Sequence, residues 1–217
     1  MTSGVGSTEP PISEAAGLAG GGSGKEARLE DVGSGLAPTS PGWFVVNLAD
    51  AAWVVNDAFG ARCTFESSPR VLQHRPDLEP QWFEHLGVTM AVLPPGRSGG
   101  LYHSESAQEG FLVLAGACLL LVEGEERPLR QWDFFHCPPN VEHIFVGQGS
   151  EPCVLLMVGA RPEDKTLSYP RDETALRHGA GAEEATASPH EAYAPYPHWR
   201  PGRPETWDDL PWVRSPE

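Results

Sequence analysis

The sequence predicts an all-β fold, a sandwich or barrel with short helical segments and extended termini. Three observations carry that expectation. Between Gly42 and Ala160 the chain runs in apolar segments of roughly five to eight residues. These segments are punctuated by Gly, Pro, Asp and Asn, and they recur at close, fairly even spacing. The length of 217 residues allows one ordinary domain with sizeable extensions.

Residues 1–40 are dominated by Gly, Ser, Ala, Pro and Glu and include the run Gly20 to Gly24. Such a segment buries too little to offset its ordering entropy, so a flexible Gly/Ser-rich leader is expected there. Residues 41–160 should form the barrel. Its expected strands are Trp43 to Leu48, Ala61 to Phe65, Val88 to Leu93, Phe111 to Leu114, Ala117 to Val122, Asp133 to Cys137, Val141 to Val146 and Pro152 to Val158. Leu78 to Leu86 breaks the rhythm, because Trp82, Phe83 and Leu86 are spaced for a helical turn packed on a sheet. In residues 161–217, short helices are expected near Asp172 to His178, stopped by Gly179, and near Pro189 to Ala194. Trp199, Trp207 and Trp212 lie in this Pro-rich extension, which should wrap the barrel or a partner subunit to bury those rings.

The net charge is −15. So acidic a surface repels phosphate backbones and anionic headgroups, which argues against nucleic-acid and membrane partners. No segment reaches the roughly 18 consecutive apolar residues of a membrane helix, and Met1 to Thr8 lacks a basic stretch, so a cytoplasmic location is expected. Cys63, Cys118, Cys137 and Cys153 stand apart from one another, as buried reduced thiols do. Cys118 to Val122 and Val154 to Val158 are apolar on both alternating faces. Both faces must be covered, by the termini or by a second subunit, and a homodimer is expected.

The chemistry concentrates in two runs, Gly99 to Gly116 and Trp132 to His143. Residues two or four apart on a strand share a face, so His103, Glu105 and Glu109 can project into one interior if a bulge falls near Ser106. His143 follows the turn at Pro138 to Asn140, placing a fourth donor opposite. Imidazole and carboxylate donors converging from neighbouring strands suit one divalent transition metal.

These runs resemble the two motifs of a single-domain bacterial cupin. His103, Glu105, Glu109 and Gly116 keep the spacing of the first motif, and Pro138, Asn140 and His143 that of the second. The resemblance spans about Gly87 to Gly159 and implies a jelly-roll barrel, a double-stranded β-helix. Glu105 stands where the family usually has a second His, Gly96 falls one residue early, and Trp132 and Asn140 replace glycines. Two His with two carboxylates form a hard, anionic set, which favours Fe, Mn or Zn, with Ni also compatible.

Each residue has a plainer reading. Gln108 competes with Glu109 as donor if the bulge shifts, and Glu105 can instead hydrogen-bond a ligand. His136 and Cys137 read first as a satisfied histidine and a buried thiol, and Tyr102 and Trp132 as packing aromatics that can line the mouth. Arg62 and Arg97 can hold a carboxylate but read more readily as surface charges. The expected function is a metal-binding cupin acting on a small organic molecule. Oxygenase- or isomerase-like chemistry is what the resemblance implies. The alternative is a non-catalytic small-molecule-binding or structural-metal module, since the sequence names no further acid, base or nucleophile.

Overall fold

The computed structural model describes residues 24–213. It opens with a hairpin of β1 (Leu29–Asp31) and β2 (Leu36–Pro38), whose turn is closed by the Gly33 amide donating to Asp31 at 2.8 Å. The barrel strands follow as β3 (Val54–Asn56), β4 (Gly60–Cys63), β5 (Leu86–Leu93), β6 (Ser104–Glu105), β7 (Glu109–Ala115) and β8 (Ala117–Val122). Then come β9 (Glu125–Arg130), β10 (Phe134–Cys137), β11 (His143–Gln148), β12 (Cys153–Ala160) and β13 (Leu167–Ser168). The C-terminal segment adds α1 (Glu173–Arg177), α2 (Pro189–Tyr193), β14 (Arg200–Pro201) and a 3-10 turn at Trp207–Asp209.

Two antiparallel sheets form the jelly-roll barrel. One has the order β10-β7-β12-β5-β4-β3-β14 and the other β11-β8-β9. Ala91, Leu93, Phe111, Val113, Leu120, Phe145 and Leu155 meet between them as the core, where their burial supplies the main driving force. Cys118, Cys137 and Cys153 lie in the same cluster, and all four cysteines are free and buried.

The outer face of β8 and the start of β12 are covered from within the chain. On β8, Leu119 and Leu121 pack outward against Tyr102, Ala175 and Ala180. Val154 of β12 shares a cluster with Trp53 and Leu210. Trp207 and Trp212 lie on the Trp53 indole, with ring centroids 5.7 and 5.5 Å away. On β8 and at the start of β12 the cover comes from the chain's own C-terminal segment, whereas Leu156 and Val158 of β12 border a groove with the exposed Phe134 and Leu86.

Several expectations change. Ordered structure reaches back into residues 24–40, because Val32 and Ala37 bury against Ala52, Val54, Val71 and Leu72. Residues 1–23 of the expected leader lie outside the described residues. Trp43 to Leu48 forms no strand, and Trp43 and Val45 are exposed. Leu78 to Leu86 is not helical: Gln81 bridges Ser67 in extended form and β5 begins at Leu86. The two C-terminal helices form near their expected positions, with Asp172 accepting from the Ala175 amide and Ser188 from the Glu191 amide. Among the described residues no helix is long and apolar enough to cross a membrane.

Candidate metal centre

The segment before β6 runs beside β11, with bridges Ser98 to Val146 and His103 to His143. The His103 amide donates to the His143 carbonyl at 3.2 Å, and the reverse bond measures 2.8 Å. Residues directly opposite on an antiparallel pair point to one face, so the two imidazoles come together with centroids 5.0 Å apart. Each Nδ1 donates to the carbonyl two residues back, Leu101 at 2.7 Å and Val141 at 3.1 Å. Those bonds fix the tautomer and leave each Nε2 lone pair free for a ligand.

The turn before His143 is tied to the first run. Asn140 takes φ 68°, and its amide donates to the Glu105 carbonyl at 2.6 Å. Glu109, the first residue of β7, stands opposite both Cys137 and Gly159. Its Oε2 lies 3.5 Å from His143 Nε2 and is buried without a hydrogen-bond partner. Such an orphaned acceptor is costly unless a ligand completes it. One donor atom each from His103, Glu109 and His143 lies within 4.8 Å of the others.

Burial shapes the charges. It holds both His103 and His143 down at about 4, so they are neutral donors near neutral pH. Burial, and then the Glu105 carboxylate, push Glu109 up to about 7. Glu105 stands beside this group rather than within it. Its Oε2 pairs with Lys165 at 2.7 Å and its Oε1 is 3.9 Å from His103 Nε2. Cys137 Sγ sits 3.5 Å from His143 Nδ1, and burial pushes that thiol up to about 12.

The remaining candidates fall away from the centre. Gln108 is exposed, because alternation along β7 turns it outward when Glu109 turns in. His136 is exposed on the outer face of β10, neither a core histidine nor a ligand. Tyr102 is fully buried, and its hydroxyl accepts from the Gly124 amide at 3.1 Å. Trp132 lies on an exposed turn. Arg97 is exposed, but Arg62 lines the interior.

A cavity of about 810 Å³ opens over the three donors. Its other walls include Arg62, Arg70, Tyr169, Tyr193 and Trp199. Sequence reasoning named Arg62 as able to hold a carboxylate but missed Arg70, Tyr169, Tyr193 and Lys165, which only the tertiary fold brings to the mouth. The aromatics of the Pro-rich extension were the available signal.

Residues 89–159 match the family model described as Cupin domain. No curated protein matches the chain. Among solved structures, a putative sugar phosphate isomerase from Acidithiobacillus ferrooxidans is 25% identical, with TM-score 0.40, over 51% of this chain and 66% of that one. A sugar phosphate isomerase from a cupin superfamily, from Silicibacter pomeroyi, is 18% identical, with TM-score 0.47, over 60% and 88%. The polyketide cyclase RemF from Streptomyces resistomycificus is 16% identical, with TM-score 0.43, over 54% and 79%. The barrel, the two motif runs and the family match agree: residues 89–159 form a cupin domain.

Proposed function

We propose that the protein is a metal-dependent cupin acting on a small organic molecule inside the barrel. The carrying observation is the convergence of His103, Glu109 and His143 around a buried, partnerless Glu109 Oε2. Two neutral imidazoles and one carboxylate fit Fe, Mn or Zn, with Ni compatible, and leave coordination positions for substrate. Bound there, the ion would supply Lewis-acid polarisation of a substrate oxygen or redox chemistry of the oxygenase kind. Leu101 and Val141 orient the imidazoles through their carbonyls. Lys165 draws Glu105 aside, leaving it as a neighbouring carboxylate that can join the ligand set or hold a proton near it. The polar walls of the cavity support substrate handling over a purely structural ion.

Elemental analysis of tag-free protein beside His103→Ala, His143→Ala and Glu105→Gln tests this reading. We expect near-stoichiometric metal in the parent, collapse in both histidine variants and retention in Glu105→Gln. Protein that takes up no ion after incubation with each metal would overturn the proposal.

A further inference from the structure

The cavity holds a cation, Arg62, that makes no ion pair among the described residues. Arg62 lies on β4, whose neighbours place it opposite Ala91 and Val54, and its side chain enters the same cavity as His103, Glu109 and His143. It is carefully seated. Nη2 donates to the Gly99 carbonyl, and the guanidinium lies over the Trp199 ring, 5.0 Å from its centroid. Gly100 makes the seat possible, because a Cβ there would stand 2.9 Å from the Tyr193 hydroxyl and 3.4 Å from Arg62 Nη2.

Its electrostatics remain unsettled. Arg62 Nε is buried without a hydrogen-bond partner. Glu109 acts on the charge only through space, while Arg70, lining the same cavity, repels it. Elsewhere a buried charge is fully paired: the half-buried Arg161 grips the buried Glu66 carboxylate with two bonds, at 2.6 and 2.9 Å. A protein of net charge −15 has carboxylates to spare, yet among the described residues neither Arg62 nor Arg70, which both line this cavity, makes an ion pair with a carboxylate. A partly buried guanidinium with an unused donor is stabilised by an anion that accepts from its planar fork.

We infer that the cavity takes a small organic anion, a carboxylate or a phosphate monoester, with Arg62 as its counter-ion and the anion's far end turned to the three metal donors. Arg70 lines the same cavity, where its positive charge would help draw such a ligand in. The inference rests on the proposed metal-dependent function only for the far end; the anion seat stands on Arg62 itself.

Binding of succinate and of inorganic phosphate, measured by titration calorimetry and thermal shift at constant ionic strength, tests the seat. Glycerol serves as the neutral probe, and the full-length parent, Arg62→Gln, Arg62→Lys and the exposed Arg97→Gln are compared. At least one anion should bind the parent and Arg97→Gln saturably, glycerol should not, and Arg62→Gln should bind roughly tenfold more weakly or worse. Succinate and phosphate distinguish the two anion classes. If Arg62→Gln does not fold, Arg62→Lys decides, since it keeps the charge but loses the fork and should still bind several-fold more weakly than the parent. Parent protein that binds neither anion, or a folded Arg62 variant that binds as tightly as the parent, would overturn the inference. Metal content is read on the same samples: full metal without anion binding removes only the anion seat, and anion binding without metal removes only the metal reading.

Discussion

Glu109 is the residue through which pH should act on the centre. Its carboxyl is raised from the ordinary 4.5 to about 7 by burial and by Glu105, while His103 and His143 are lowered from 6.5 to about 4. In the metal-free protein these shifts oppose one another. The histidines bind more protons in the unfolded chain between pH 4 and 6.5, so their contribution to stability is lost as pH falls through that window. Glu109 binds its proton more tightly when folded, so its contribution is whole below pH 4.5 and lost as pH rises through about 7. Two histidines outweigh one carboxyl, and the metal-free protein should lose stability on acidification below about pH 6.5. Metal loading has a sharper signature, because the ion needs an ionised carboxylate and the histidines are already neutral. Calorimetric metal titration in buffers of different ionisation enthalpy should show about one proton released per ion near pH 6 and almost none near pH 8.5. In Glu105→Gln the release near pH 6 should shrink, because the repulsion that raises Glu109 is gone. Release of two protons near pH 6 would mean that the histidines carry protons as well, and no release there would mean that Glu109 is already ionised.

Turns between elements show how the sequence departs from glycine and at what cost. Trp132 and Asn140 occupy motif positions where the resembled family has glycine, and both take left-handed backbone, φ 75° and 68°. Asn tolerates that region through its short polar side chain, whereas a bulky residue does not. Trp132 holds it because its amide donates to the Val113 carbonyl at 2.8 Å and the Asp133 carboxylate accepts from the Arg130 amide at 2.9 Å. The indole itself is 67% exposed and contributes little burial. Trp132→Gly should therefore stabilise the protein by about 0.5 to 1 kcal/mol, the relief of the left-handed residue exceeding the added freedom of the unfolded chain. Trp132→Ala removes the same side chain but keeps the backbone penalty, so its melting temperature should lie below that of the glycine variant. Equal melting temperatures would show that this turn is unstrained. The motif positions were thus legible at this scale, and so were β5, β8 and β12, whose apolar runs are buried on both faces along most of β8, the second half of β5 and the start of β12. The β9 strand was not, because its sequence Glu-Glu-Arg-Pro-Leu-Arg is that of an exposed edge, where charges and Pro guard against further pairing. Trp43 to Leu48 failed in the opposite sense: its apolar run is real, but among the described residues only Trp43 finds a bridging partner, Glu26.

The whole molecule depends on a C-terminal segment that no local pattern could have placed. Aromatic spacing showed that Trp199, Trp207 and Trp212 needed burial, but which surface receives them is a long-range matter of shape. In the fold this segment does three jobs. It covers the outer face of β8 through Ala175 and Ala180, seals Trp53 and Val154 through Leu210 and the two last tryptophans, and brings Tyr193 and Trp199 to the cavity. The third job ties the anion seat to the first two, since Trp199 lies under the Arg62 guanidinium and the carbonyl of Pro197 accepts from Asn56 at 2.7 Å. Leu210, fully buried in a segment without regular neighbours, is where this docking can be probed with least disturbance of the barrel. Leu210→Ala removes the transfer energy of its side chain and leaves a cavity against Trp53, a loss of about 3 kcal/mol. For a chain of this size that lowers the melting temperature by roughly 6 to 12 °C. Metal content should stay at the parent level, because His103, Glu109 and His143 are held by β7, β11 and the strand-like segment beside it. Succinate or phosphate affinity should fall with the looser seating of Trp199. An unchanged melting temperature in Leu210→Ala would show that the segment is not docked in solution, and a second copy of the chain would then be needed to cover the apolar faces of β8 and β12.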